Sequence, residues 1–246
     1  MDPNAPFLRS VSLDRGSVKD PGAYPYSIPA IAKLGELEFH PKVTFLVGEN
    51  GSGKSTLVEA IAAAARFNPE GGSKATRFQT TRSESDLYQH LRLIRSARRE
   101  QDGFFLRAES FFNVATTIDE LGIDMRRYGG KSLHAQSHGE AFLALVENRF
   151  GEDSLFLLDE PEAALSPQRQ LSLLVLLDEL VQRARCQFII ATHSPILMAY
   201  PDATIFELSD DGVRRVAWED TEHFRVTRSF LAAPERYFKT LFRRDG

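Results

Sequence analysis

The chain is predicted to be an α/β protein: a mainly parallel sheet flanked by helices, with an antiparallel annex at its N-terminal edge. Three observations carry that expectation. The runs "SLFLLD" and "QFIIAT" alternate with helical stretches from about residue 139 onward, and strands apolar at nearly every position belong to a parallel sheet covered on both faces. "KVTFLVG" leads into a glycine-rich stretch and then an alanine-rich helix. Residues 7–13, "FLRSVSL", alternate apolar and polar, as a half-buried strand does.

The elements follow in order. After "FLRSVSL" comes a Gly- and Pro-dense loop, "DRGSVKDPGAYPYSIP". "LGELEF" and "KVTFLVG" read as strands split by His40-Pro41, and "KSTLVEAIAAAARF" as a helix ended by "NPEGGS". Short strands or loop are expected at 75–80, a helix at about 86–99, the strand "FFLRA" at 104–108 and a helix at about 111–120. Helix 139–149, strand "SLFLLD", helix 167–184, strand "QFIIAT" and a short helix at 195–199 complete the regular part. The tail reads as a hairpin, "ATIFEL-SDDG-VRRVAW" with "DG" as its turn, then helices near 221–231 and 234–243. One domain over 1–246 is expected, with a helical part at about 81–150 and a C-terminal hairpin and helices at about 203–246.

Composition excludes some classes. At 246 residues, 42% hydrophobic and 26% charged, the chain can bury a sizeable core. A net charge of −4 gives no whole-chain case for nucleic acid. No apolar run reaches the roughly 18 residues of a membrane span, and the N-terminus lacks the pattern of a signal peptide. The single cysteine, Cys186, allows no disulfide within one chain. A cytoplasmic protein without membrane insertion is expected.

"GENGSGKST", Gly48 to Thr56, matches G-x-x-x-x-G-K-[ST] between an apolar strand and a helix. Gly48, Gly51 and Gly53 permit a backbone that turns N–H groups inward, and Glu49, Asn50 and Ser52 complete the loop. The helix N-terminus adds partial positive charge. Lys54 is suited to neutralise β- and γ-phosphates, and Ser55 to ligate Mg²⁺. Downstream, "LFLLDEPEAALSPQ" places two carboxylates at a strand end. Asp159 is expected in the Mg²⁺ shell and Glu160 beside an attacking water. His193, ending "FIIATHSP", is placed to hydrogen-bond the γ-phosphate or simply to cap the helix at Pro195.

These elements resemble the ABC-type ATPase superfamily. The phosphate loop, "LLDEPE", "AALS" and "ATHS" stand in that superfamily's order over most of the chain. "QSHGE" begins its Ser137 22 residues before Asp159 (159 − 137), where the superfamily carries its signature motif. The chain looks like the small stand-alone AAA/ABC-like ATPases related to the heads of DNA-repair and chromosome-organising proteins. The resemblance implies a P-loop NTPase of ABC type, with ATP and Mg²⁺ as cofactors and a homodimer formed on ATP binding. By it, Ser137, Gly139 and Glu140 face the γ-phosphate of ATP held by the partner copy. Lys54, Glu160 and His193 are catalytic, and Ala164, Leu165 and Ser166 join the two sites. His138 departs from the pattern, where glycine is usual, and so does Gln136, where leucine is usual. A plain helix cap is the other reading of Ser137.

Two positions stay open. The γ-phosphate or metal sensor is Glu109 or Gln79, and the adenine-stacking residue Tyr24 or Tyr26. Residues 74–107 hold eight Lys/Arg against four Asp/Glu. On a helix, Arg92, Arg95 and Arg99 would share a face with Tyr88, either a solvated face or a surface for a nucleic-acid backbone. The expected role is an ATPase switch acting on a separate protein or nucleic acid. A transporter's ATP-binding subunit and a non-catalytic nucleotide-gated module are the alternatives.

Overall fold

The computed structural model describes residues 5–68, 71–73, 85–109, 111, 116 and 133–242. The expected segment at 75–80, Gln79 and most of the helix at 111–120 lie outside them. A mixed sheet runs β10-β9-β3-β8-β7-β6-β4. Its strands are β3 (Val43–Val47), β4 (Gly72–Ser73), β6 (Asp102–Arg107), β7 (Ser154–Asp159), β8 (Gln187–Ala191), β9 (Ala203–Ser209) and β10 (Gly212–Val216). The five central strands pair in parallel, while β4 and β10 close the edges antiparallel.

Side chains alternate between two cores. Phe45, Phe156, Leu158, Phe188 and Ile190 point to one face, which is covered by α3 (His138–Arg149), α4 (Pro167–Arg183) and α5 (Pro195–Met198). Leu46, Leu155, Leu157 and Ile189 point to the other, beneath α2 (Lys54–Ala64). On that second face lies the annex, a three-stranded antiparallel sheet of β1 (Leu8–Leu13), β2 (Leu37–Glu38) and β5 (Leu91–Arg95) in the order β2-β1-β5. A short helix, α1 (Pro29–Ala32), lies between β1 and β2, starting at the last residue of the stretch read as loop.

The helix expected at 86–99 is a correction. Residues Leu87–Gln89 form one 3-10 turn, and "LRLIR" is strand β5, paired with β1 from Leu8↔Arg95 to Leu13↔Leu91. Leucines at 87 and 91 and Ile94 fit a helical stripe, but Leu91 and Leu93 also fit period two. The unpaired ladder groups of β1 decide for the strand. The proposed arginine face with Tyr88 therefore does not form. Arg92 and Arg95 point to opposite sides of β5; Arg92 pairs with Asp14 (2.6 Å) and Arg95 with Glu100 (2.7 Å). The C-terminal hairpin also differs by one residue. Its two-residue loop is Asp210-Asp211, and Gly212, at φ +116°, already pairs with Ser209.

One side chain ties the annex to the central sheet. Gln187, fully buried at the start of β8, accepts from the backbone N–H of Phe7 and Leu8 (2.9 Å each). Its amide nitrogen donates to the carbonyls of Leu8 (2.8 Å) and His40 (3.1 Å). All four of its hydrogen-bonding sites are used. Nearby Cys186 is buried against the Gly151 carbonyl, and burial pushes its thiol up to about 11. Among the described residues no helix is long and apolar enough to cross a membrane.

After α5 come α6 (Glu222–Ala232) and α7 (Pro234–Leu241), as the sequence leads one to expect. Gln187→Leu strands four backbone groups at once, three of them on the buried Phe7 and Leu8, and is expected to cost about 3 kcal/mol. Urea unfolding measures it; an unchanged midpoint would show that the annex is held without Gln187, by its apolar contacts and by Arg98, which meets Ala5, Asp153 and Arg185.

Candidate nucleotide site

The parallel strands end along one edge. In register, Leu46 of β3 faces Ala191 of β8, Ala191 faces Asp159 of β7, and Asp159 faces Arg107 of β6. Each motif begins one or two residues beyond this row, so backbone pairing alone gathers them. Ligands of open parallel sheets bind at this carboxyl edge.

The phosphate loop bridges β3 and α2. Gly48, Gly51 and Gly53 all have positive φ (146°, 79° and 96°). At Gly48 a Cβ would lie 2.3 Å from the Leu208 carbonyl of β9, so nothing larger fits. Lys54 is only 3% exposed and its Nζ donates to the Glu49 carbonyl (3.1 Å). Burial lowers its pKa, while Glu160, Asp159, Glu162 and Glu49 pull the other way. That is a cation stored in a dry place, ringed by carboxylates.

Asp159 is 5% exposed, and its Oδ1 finds no hydrogen-bond partner among the described residues. Burial raises its pKa to about 6 against the pull of Arg107, whose Nε lies 3.5 Å away, and of a hydrogen bond with Ser55. Ser55 and Asp159 are a pair of hard oxygen donors, one with a buried lone pair unspent. Among the described residues no group of three or more His, Cys, Asp or Glu could hold a metal unaided. The pair suits Mg²⁺, which takes few protein ligands and completes its shell with water and phosphate oxygens.

Glu160 sits in the left-handed region at φ +50°, ψ +51°. A non-glycine residue held there carries strain of about 1–2 kcal/mol, and such strain gathers at functional positions. Its N–H donates to the Ala191 carbonyl (2.9 Å), and its carboxylate lies 3.3 Å from His193 Nε2. That contact is poorly aligned, and Nε2 is buried with no hydrogen bond among the described residues.

Sequence reasoning missed several residues at this edge. Glu162 accepts from Thr192 Oγ1 (2.8 Å) and from the His193 N–H, lashing the turn after β7 to the turn after β8. Burial raises its pKa despite those bonds. Arg107 stands beside Asp159 and also meets Glu59 (3.3 Å) and Glu109 (3.6 Å). His223 of α6 meets His193. Only Glu162 left a local signal, as the third acid of "DEPE".

The signature stretch lies apart. Ser137 is the N-cap of α3 in a capping box with Glu140; its N–H and hydroxyl both donate to Glu140 Oε2 (3.1 and 2.6 Å). Arg169 of α4 donates to Ser137 Oγ and to Glu140 (3.0 Å each). A Cβ on Gly139 would fall 2.6 Å from Arg169 Nη1 and 3.1 Å from the Ala164 carbonyl. A side chain there would have to displace Arg169. His138 turns its ring towards Phe111, at 6.4 Å between centroids. Among the described residues, none of the hydrogen bonds of Ser137 or Glu140 goes to residues 48–56.

Of the open positions, Glu109 turns to solvent and to Arg107, its side chain 82% exposed. Tyr26 is buried; its hydroxyl donates to Asp86 and its pKa is raised by burial and by that carboxylate. Tyr24 is 60% exposed with its hydroxyl 3.3 Å from Thr56 Oγ1, so of the two it alone offers a free ring beside the phosphate loop.

Two family profiles match. Residues 28–120 match one described as "AAA domain", and residues 141–199 one described as "AAA domain, putative AbiEii toxin, Type IV TA system". Curated relatives are ATP-binding proteins. The chain is 27% identical over 208 residues to "Putative ribose/galactose/methyl galactoside import ATP-binding protein 2" of Agrobacterium fabrum. These matches support a relationship to the ABC/AAA-like ATPase superfamily. The Agrobacterium match takes 74% of this chain but only 37% of that relative's length. "Lipoprotein-releasing system ATP-binding protein LolD" of Chromohalobacter salexigens is 25% identical over 181 residues, covering 64% of this chain and 73% of that one. The "SMC head domain from Thermotoga maritima" superposes with a TM-score of 0.46 at 15% identity, over 85% of this chain and 98% of that chain. The fold is mixed α/β, a mainly parallel sheet flanked by helices with an antiparallel sheet on one face, and the relatives named above are ATP-binding proteins.

Two predictions follow from the geometry. Asp159 has a folded pKa of about 6 against an ordinary 3.8, so its ionisation opposes folding. The unfolded chain releases that proton first, and stability falls as pH rises through this window. Asp159→Asn is therefore expected to stabilise the nucleotide-free protein by about 2 kcal/mol near neutral pH, with the gain vanishing below about pH 4. Thermal unfolding across pH checks it, and a gain that persists in acid contradicts it. Tyr24→Ala is expected to weaken ATP binding roughly five- to tenfold in titration calorimetry; unaltered affinity would mean the base lies elsewhere.

Proposed function

We propose that the chain is an ATP-binding and ATP-hydrolysing switch that pairs with a second copy around two ATP molecules. Its motion would act on a separate protein or nucleic acid. The observation that supports this most is the division of the motifs. Lys54, Ser55, Asp159, Glu160 and His193 share one strand edge, whereas Ser137, Gly139 and Glu140 engage Arg169 and the Ala164 carbonyl.

On this reading the loop N–H groups and Lys54 cradle the β- and γ-phosphates. Mg²⁺ held by Ser55 and Asp159 would offset phosphate charge. Glu160 orients a water and takes its proton. His193 Nε2, buried and without a hydrogen bond of its own among the described residues, donates to a γ-phosphate oxygen. The N-terminus of α3 supplies Ser137 and the helix dipole to the partner copy's γ-phosphate. Ser137 would give up its bond to Glu140 to do so. Arg169 would remain as the counter-ion of that carboxylate.

A second reading makes the chain the ATP-binding subunit of a transporter, favoured by relatives whose names describe import and lipoprotein release. Co-purification with a multi-span membrane protein would support it.

The Glu160→Gln variant is expected to bind ATP, fail to hydrolyse it and accumulate as an ATP-dependent dimer. Size-exclusion chromatography with light scattering reads this directly. A monomer at saturating ATP defeats the two-copy site.

A further inference from the structure

His223 belongs to no motif, yet it is built into the nucleotide edge. It occupies the first turn of α6, behind the N-cap Thr221, which is fully buried. Thr221 Oγ1 donates to the Trp218 carbonyl (2.7 Å), and the Trp218 ring meets Phe224 edge-on at 4.3 Å. The start of α6 is thereby fixed, and the His223 side chain is only 15% exposed. Its Nε2 lies 2.8 Å from His193 Nδ1, with the two rings inclined at 62°. Glu49 of the phosphate loop stands 3.9 Å from the same nitrogen.

Two imidazole nitrogens at hydrogen-bond distance hold one proton between them. On its other side, His193 Nε2 faces the Glu160 carboxylate at 3.3 Å, an acceptor. A lone pair on Nε2 would repel that carboxylate, and a phosphate oxygen equally. Nε2 must therefore carry the proton, leaving Nδ1 to accept and His223 Nε2–H to donate. Burial, and then the Lys54 charge, hold the pKa of His193 below the usual imidazole value, with Glu160 opposing and His223 adding to the lowering. A neutral ring in one tautomer is the state those surroundings favour.

We propose that His223 is a positioning residue that locks His193 in its Nε2–H tautomer and ring orientation, and so couples helix α6 to the hydrolytic step. The coupling rests on the ATPase reading above; the tautomer does not. Hydrogen-bonded orientation of one histidine nitrogen by a group on the other is the general means of fixing which nitrogen acts.

Long-range ¹H–¹⁵N spectra of the full chain without nucleotide report the tautomer independently of turnover. The wild-type His193 is expected to show the Nε2–H pattern, and His223→Leu a mixture with Nδ1–H. The same Leu variant is expected to lose kcat by at least about tenfold with KM for ATP within about twofold. His223→Gln, whose amide can donate to Nδ1, should recover most of both signals. His223→Asn, too short to reach, repeats the comparison if the Leu variant fails to fold. An unchanged His193 tautomer in both the Leu and Asn variants overturns the proposal. A wild-type chain that never hydrolyses ATP defeats the ATPase reading instead, while the spectra still decide the histidine pair.

Discussion

Parallel pairing of β3, β8, β7 and β6 is the constraint on which the rest of the molecule depends. It lays Leu46, Ala191, Asp159 and Arg107 in one row across the sheet. Residues separated by more than a hundred positions then begin their functional turns at the same height. Hydrogen bonds between the turns refine this placement: the Glu160 N–H reaches the Ala191 carbonyl, and Glu162 holds Thr192 and His193. Both faces of the strands must be covered for this to hold, by α2 and the annex on one side and α3 to α5 on the other.

The edge so formed is electrostatically unrelaxed. A buried ammonium, a buried carboxylate, the half-buried Glu162 and a strained Glu160 gather at one strand edge, and each would be more stable elsewhere. Internal partners offset part of the cost. Lys54 uses the Glu49 carbonyl, Asp159 uses Arg107 and Ser55, and the N-terminus of α3 uses Glu140, backed by Arg169. On the proposed function, Lys54, Ser55 and Asp159 would exchange several of these partners for phosphate and Mg²⁺. Binding energy would then relieve an arrangement that folding alone leaves under strain, as a nucleotide-driven switch requires.

Arg107 is the least expected member of this set. It closes the row at Asp159, ties Glu59 of α2 to the end of β6, and has an Nε without a hydrogen-bond partner among the described residues. Glu109, the sequence's candidate for sensing phosphate, is instead that arginine's exposed counter-ion. The distinction between Tyr24 and Tyr26 is of the same kind: both are loop tyrosines two residues apart, and only burial and the bond to Asp86 separate them.

What the sequence determined by itself was everything carried by contiguous residues. Gly48 to Thr56, the acidic end of β7, the Ser166-Pro167 helix start and the apolar runs of β3, β7 and β8 specify their structure within a few positions, because loop, cap and fully buried strand each need particular neighbours. What the tertiary structure decided were choices between patterns of equal local merit. "LRLIR" fits a helix and a strand until β1 offers it a ladder, and an isolated histidine at a helix start has no local property that points to His193. Gln187 likewise spends its amide on residues about 180 positions away. Such pairings are fixed by chain topology, which short-range sequence does not contain.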